Sequence, residues 1–176
     1  MRPLIVGTLF ACGWALYGAS RLPPILAIII GVIALAVSVA IIGVARRSAA
    51  ALAKPLSSTA RWLFLLNLLG EIILLNIAYF LTTGSGRPDL MIPAISAAVG
   101  LHFVPMTAIF GQSRYLPLAA MMLIVAALAA AAIAWTGLPA GPIATLEAFA
   151  NALLLWSSTA PSALRARSRS RLGRAE

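Results

Sequence analysis

Acidic side chains are scarce in this chain of 176 residues, which has four Asp or Glu against thirteen Lys or Arg. It also contains a single cysteine, Cys12, and a single histidine, His102. One cysteine excludes an intramolecular disulfide and any zinc or redox site built on paired cysteines. We interpret Cys12 as a small apolar residue of the interior. So few acidic groups, with one histidine, leave little material for a hydrolytic triad.

Motifs for bound cofactors are missing as well. The sequence has no Walker-type phosphate loop, no dinucleotide glycine fingerprint, no HExxH and no CxxC. We therefore predict no cofactor, no metal site and no enzymatic activity. An intramembrane enzyme acting on lipid is the alternative that the sequence leaves open.

Apolar residues dominate what is present. The chain is 62% hydrophobic and 10% charged, whereas soluble domains average about 45–50% apolar and about 25% charged residues. The apolar residues form six long stretches, and a helix of about 20 apolar residues crosses the hydrocarbon core of a bilayer. The fold class that we predict is all-α, a multi-pass transmembrane bundle of six helices within residues 1–160. The stretches are 4–19, 25–45, 62–82, 90–110, 115–136 and 142–157.

The basic residues predict the orientation of this bundle. With the N-terminus in the cytoplasm, only Arg21 and Arg87 of the thirteen Lys and Arg residues fall on the outer side. Cytoplasmic segments carry an excess of such residues, so we expect both termini in the cytoplasm. Lys54 is the only lysine, and this preference for arginine is typical of GC-rich bacterial genomes. We therefore predict a protein of the bacterial inner membrane.

The first stretch has an alternative interpretation. It is short, and residues 18–20 (Gly-Ala-Ser) would suit cleavage of a signal peptide. Small residues at four-residue spacing instead predict a helix-packing surface, and we expect the segment to be retained. These residues are Gly7, Ala11, Ala15 and Ala19.

Polar residues interrupt the third and sixth stretches in the same way. Glu71 lies near the middle of the third, and Asn67 lies four residues earlier on the same helical face, within reach of its carboxyl. Glu147 and Asn151 repeat the pairing in the sixth stretch. A charged group at the bilayer centre costs on the order of 2.5–3.5 kcal/mol, so it usually faces protein or a water-filled cavity.

His102 lies in the fourth stretch, three residues before Pro105. Pro105 lacks a backbone N–H and is expected to kink the helix beside His102. At about 1.5 Å of rise per residue, Glu71, His102 and Glu147 fall at similar depths. We therefore expect a shared polar core of Glu71, His102, Glu147, Asn67 and Asn151.

This core has two interpretations. Carboxyl and imidazole groups inside a membrane can pass a proton or hold a cation, and such groups mark the path of a transported solute. The protein would then be a small transporter or a proton or cation translocator. In the alternative interpretation the core is a hydrogen-bonded clasp between helices, and the protein is a membrane scaffold or assembly partner.

Residues 100–105 read GLHFVP. This stretch resembles small uncharacterised bacterial six-helix inner-membrane proteins that have Gly-Leu-His-Phe-x-Pro in a middle helix. The resemblance implies that His102 and Pro105 belong to a recurring local arrangement. It implies no catalytic or binding role.

The ends and loops carry the remaining charge. Arginines occur at every second position of the tail, residues 161–176, and this spacing does not form one helical face, so we expect a disordered cytoplasmic tail. The charge lies between and after apolar stretches, which indicates anionic lipid rather than nucleic acid as the partner. A bundle this small also suggests a homo-oligomer as a further partner. The predicted headgroup contacts are Arg46, Arg47, Arg165, Arg167, Arg169 and Arg171.

Overall fold

The computed structural model describes the backbone of residues 2–49 and 57–172, and the side chains of residues 4–46 and 57–161. Within these ranges the chain is helical and has no strand, as the sequence predicted. A short 3-10 helix, Pro88–Leu90, precedes the fourth α-helix. The α-helices are α1 (Arg2–Ala19), α2 (Pro24–Ala49), α3 (Ser58–Gly84), α4 (Met91–Phe110), α5 (Tyr115–Trp135) and α6 (Ala140–Leu172).

Four segments of the described chain are long and apolar enough to cross a membrane. They are Pro24–Arg46, Ser58–Gly84, Pro88–Phe110 and Tyr115–Trp135. Two of the six predicted spans are not among them. Leu4–Ala19 is apolar but shorter, and α6 carries Glu147 and Asn151, whose polar side chains dilute its apolar character.

Large apolar side chains on the surface also indicate a membrane protein. Val39 is 68% exposed, Phe80 is 67% exposed and Leu128 is 65% exposed. Soluble monomers rarely expose contiguous apolar surface on this scale, because water solvates it poorly. The exposed faces of α2, α3 and α5 therefore suit contact with lipid, and the chain is a membrane protein.

Glycines follow the ends of three helices. Gly86, Gly111 and Gly137 have φ values of 68°, 60° and 67°, and each follows the end of a helix. At Gly111 this left-handed conformation lets its N–H donate to the carbonyl of Thr107 and end α4. Residues with a Cβ rarely adopt this conformation, so glycine is suited to it.

The chain divides into two compact units. Unit 1 comprises residues 1–55 and 148–176, and unit 2 comprises residues 56–147. In unit 1, the predicted small-residue stripe of α1 is a packing surface, since Ala11 is 0% exposed and a Cβ on Gly7 would lie 3.2 Å from Thr159 Cγ2 on α6. Cys12 is buried, as expected. Trp156 on α6 donates through Nε1 to the hydroxyl of Ser38 on α2 at 3.2 Å.

In unit 2, α4 packs against both α3 and α5. Gly100 permits a close approach to α5, since an added Cβ would lie 3.3 Å from Met122 Cβ and from Leu123 Cγ. Near the end of α4, the ring of Phe103 stacks on Tyr115 of α5 with centroids 6.1 Å apart. The central helix α4 is therefore held on both sides, which fixes the position of His102.

Pro93 lies in the first turn of α4, where a missing N–H costs no helical hydrogen bond. Pro105 lies inside the helix, as predicted. One detail differs from the sequence expectations. The backbone of α6 continues to Leu172, although we expected disorder from residue 161. Arginine, alanine and leucine all favour helix, so one-sided amphipathicity is not needed for this extension.

Candidate functional site

A carboxyl and an imidazole meet between α3 and α4. Glu71 lies midway along α3, and His102 lies in the second half of α4. Their side chains are 3% and 7% exposed, and Glu71 Oε2 lies 3.4 Å from His102 Nδ1. The structure thus brings together two ionisable residues that are 31 positions apart in the sequence, because α3 and α4 pack along each other.

The pair is close but incompletely hydrogen-bonded. Glu71 Oε1 and His102 Nδ1 are buried and have no hydrogen-bond partner within the described residues. A buried polar atom without a partner typically costs about 1–3 kcal/mol, so the native arrangement carries a penalty here. A proton placed between Glu71 and His102 would satisfy part of this deficit. A neutral carboxyl beside a neutral imidazole and a carboxylate beside an imidazolium differ only in the position of that proton.

Asn67 contacts the same region by an unexpected route. We expected its amide to reach the Glu71 carboxyl one turn away. Instead, Asn67 Nδ2 donates to the backbone carbonyl of His102 at 3.2 Å. A carbonyl oxygen has two lone pairs, so it can accept this bond in addition to a helical one. Asn67 therefore ties α3 to α4 at the level of His102, three residues before the helix-interior Pro105.

Glu147 lies elsewhere in unit 2, beside Ser96 of α4. Glu147 is 2% exposed and Ser96 is 0% exposed. The Ser96 hydroxyl interacts with the Glu147 carboxyl. The contact does not have the geometry of a full hydrogen bond, because neither carboxyl oxygen has a hydrogen-bond partner among the described residues.

The position of Ser96 changes the predicted arrangement of the core. Ser96 precedes His102 by six residues, a rise of about 9 Å along α4. The depth predicted from the sequence placed Glu147 level with Glu71 and His102. In the structure Glu147 instead lies beside Ser96, which is nearer the start of α4 than His102 is. Sequence reasoning missed Ser96 because a lone serine beside alanines in an apolar helix is a weak signal.

The remaining predicted residues are placed as follows. Asn151 is 0% exposed and belongs to unit 1, and its membership in one core with Glu71 stays a prediction. Arg46 is exposed near the end of α2, as a headgroup contact requires. The side chains of Arg47 and of the tail arginines 165, 167, 169 and 171 lie outside the described residues. Within the described part of the chain, no group of three or more His, Cys, Asp or Glu lies close enough to hold a metal ion.

Comparison with known proteins found no similar protein. No family model matches this chain, and no curated protein or solved structure is significantly similar to it. The resemblance noted at residues 100–105 therefore stays a hypothesis.

Proposed function

We propose that this protein translocates protons across the inner membrane of a bacterium through the Glu71–His102 pair, alone or coupled to a small solute. The single observation that carries the proposal is the 3.4 Å approach of Glu71 Oε2 to His102 Nδ1 at two nearly fully buried side chains. Both groups exchange protons, and intramembrane residues of these types commonly form proton relays.

A proton suits this pair better than a larger cation does. A metal ion such as Mg²⁺ or Ca²⁺ requires about six or more oxygen ligands, whereas a proton requires one donor and one acceptor. The pair offers one carboxyl and one imidazole, and the amide oxygen of Asn67 would add at most one further ligand, because its Nδ2 donates to a backbone carbonyl. The ligand class that follows is the proton.

The topology that we propose has six spans with both termini in the cytoplasm. α1 has 18 residues, which corresponds to about 27 Å of helix and nearly matches a hydrocarbon core of about 30 Å. α6 has 33 residues and is long enough to cross the core and continue into the cytoplasm. With this topology, eleven of the thirteen basic residues lie on the cytoplasmic side.

The alternative function, a scaffold with a structural clasp, is supported by one contact. The bond from Asn67 to the carbonyl of His102 joins two helices without using an ionisable group. Interhelical bonds of this kind contribute about 0.6 kcal/mol on average. A clasp needs the shape of Glu71 and His102 but not their ability to exchange a proton, and this difference separates the two functions.

The test is proton flux into proteoliposomes that contain a pH-sensitive dye and an imposed potassium potential. We expect Glu71→Gln to fold normally and to lower flux at least about tenfold, which corresponds to about 1.4 kcal/mol. Asn76→Leu is the matched control, because Asn76 is on the same helix and its amide bonds only the carbonyl of Ile72 among the contacts described. Wild-type protein without flux, together with a Glu71→Leu variant as stable as wild type, would refute the proposal.

A further inference from the structure

We infer that Glu147, faced by Ser96, is a second proton-binding site of unit 2, separate from the Glu71–His102 pair. The inference rests on the proposed function in assuming that protons enter the protein interior. It assigns a role to a residue that the pair does not use.

The Glu147 carboxyl is buried and incompletely hydrogen-bonded. It is 2% exposed, and neither of its oxygens makes a hydrogen bond of good geometry within the described residues. A carboxylate in such surroundings has lost its water and gained only the imperfect contact with Ser96, which is costly in a low-dielectric interior. Binding a proton removes the charge and creates one O–H donor. The arrangement therefore suits a carboxyl that takes up and releases a proton.

The second argument is the distribution of basic side chains. In the described part of unit 2 the arginines are Arg61, Arg87 and Arg114, and each lies in the first turn of a helix or in a connection. Arg87 is also paired with Asp89 at 2.9 Å. Glu147 lies in the second turn of α6. Within the described part of unit 2, a proton, rather than an arginine, is therefore the positive charge that suits this carboxyl.

The groups around Glu147 do not titrate. The facing residue on α4 is Ser96, and the positions three and four residues away on α6 are Ile143, Ala144, Ala150 and Asn151. In α5 the only titratable side chain is Tyr115, its first residue. The nearest buried ionisable groups in unit 2 on the other elements are Glu71 and His102. A titration of Glu147 would thus be coupled to that pair alone.

The third argument is the separation of the two sites along α4. Six residues correspond to about 9 Å of rise and to about 240° of rotation, so Ser96 and His102 lie on different faces. A proton transfers directly only over hydrogen-bond distance or through one water. The two sites therefore exchange no proton directly, and a hydroxyl such as Ser96, which both donates and accepts, is suited to pass a proton between Glu147 and its surroundings.

The test is infrared spectroscopy of the full chain in lipid across a pH titration. The chain has only four acidic side chains, so single variants assign the carboxyl bands. We expect Glu147→Gln to remove one band of a buried protonated carboxyl that Glu71→Gln leaves in place. Asp89→Asn, in the 3-10 helix Pro88–Leu90, should leave that band unchanged, because Asp89 is paired with Arg87. Ser96→Ala keeps Glu147 and should shift its band, which provides a second measurement if Glu147→Gln folds poorly.

Flux measurements on the same variants separate this inference from the proposed function. Glu147→Gln should lower flux at least about tenfold, like Glu71→Gln. If Glu71→Gln abolishes flux while Glu147→Gln leaves both flux and the buried carboxyl bands intact, the second site is overturned and the first stands. If Glu147→Gln removes its band but wild type and Glu71→Gln show equal flux, the second site stands and translocation by the pair is refuted. An unshifted band in Ser96→Ala also overturns the inference.

Discussion

Gly100→Ala should weaken the packing of α4 on α5, and the expected effect follows from the structure. A Cβ at this position would lie 3.3 Å from Met122 Cβ and from Leu123 Cγ, and 3.4 Å from the carbonyl oxygen of Ala119. Met122 Cβ is fixed to its backbone, so the helices must separate by a few tenths of an ångström. Overpacking of this kind typically costs about 1–3 kcal/mol. Alanine regains about 1 kcal/mol of helix propensity, so the net loss is about 0–2 kcal/mol.

Gly70→Ala is the matched control for this change. Gly70 lies inside α3 of the same unit, and an added Cβ would meet nothing within 4 Å. Gly70→Ala should therefore only gain helix propensity, which raises the free energy of unfolding by about 1 kcal/mol. The difference between the two variants should therefore be about 1–3 kcal/mol. Unfolding of both variants in mixed micelles measures it, and equal stabilities would refute the close approach of α4 to α5.

Two further predictions concern polar contacts. Asn67→Leu should lower the free energy of unfolding by about 0.6 kcal/mol, and at most about 1.7 kcal/mol, because it removes the bond to the carbonyl of His102. Asn76→Leu should cost less, and an equal cost would contradict the interhelical role of Asn67. Asp89→Asn tests an ion pair, because Asp89 Oδ2 lies 2.9 Å from Arg87 Nη2 and both side chains are partly exposed. Salt screens such a pair. Wild type and Asp89→Asn should therefore differ slightly in stability at low salt and converge at high salt, and a difference that grows with salt would contradict this.

The helices and their connections were predictable from local patterns. Pro24 begins α2, and Gly111 ends α4 in a left-handed conformation that its neighbours in the helix do not adopt. The small residues of α1 were predicted to form a packing face, and Ala11 and Ala15 are buried as a result. These features depend on the conformational limits of single residues and on helical periodicity, and both can be read along the chain.

The partners of the polar groups were only partly predictable. The meeting of Glu71 and His102 followed from the cost of isolated polar groups in hydrocarbon, which favours their association. The bond from Asn67 to a backbone carbonyl did not follow, because any carbonyl on a facing helix is an equivalent acceptor. Ser96 was missed for a related reason, since its importance comes from the helix that carries Glu147.

Apolar composition and the period of the α-helix thus established that this chain is a helical membrane protein. They could do so because lipid accepts apolar side chains and each helix satisfies its own backbone hydrogen bonds. The rotation of each helix against its neighbours determines which side chain faces a given carboxyl, and it depends on packing between residues far apart in sequence. The folded structure alone therefore revealed that Asn67 bonds the carbonyl of His102 and that Glu147 faces Ser96.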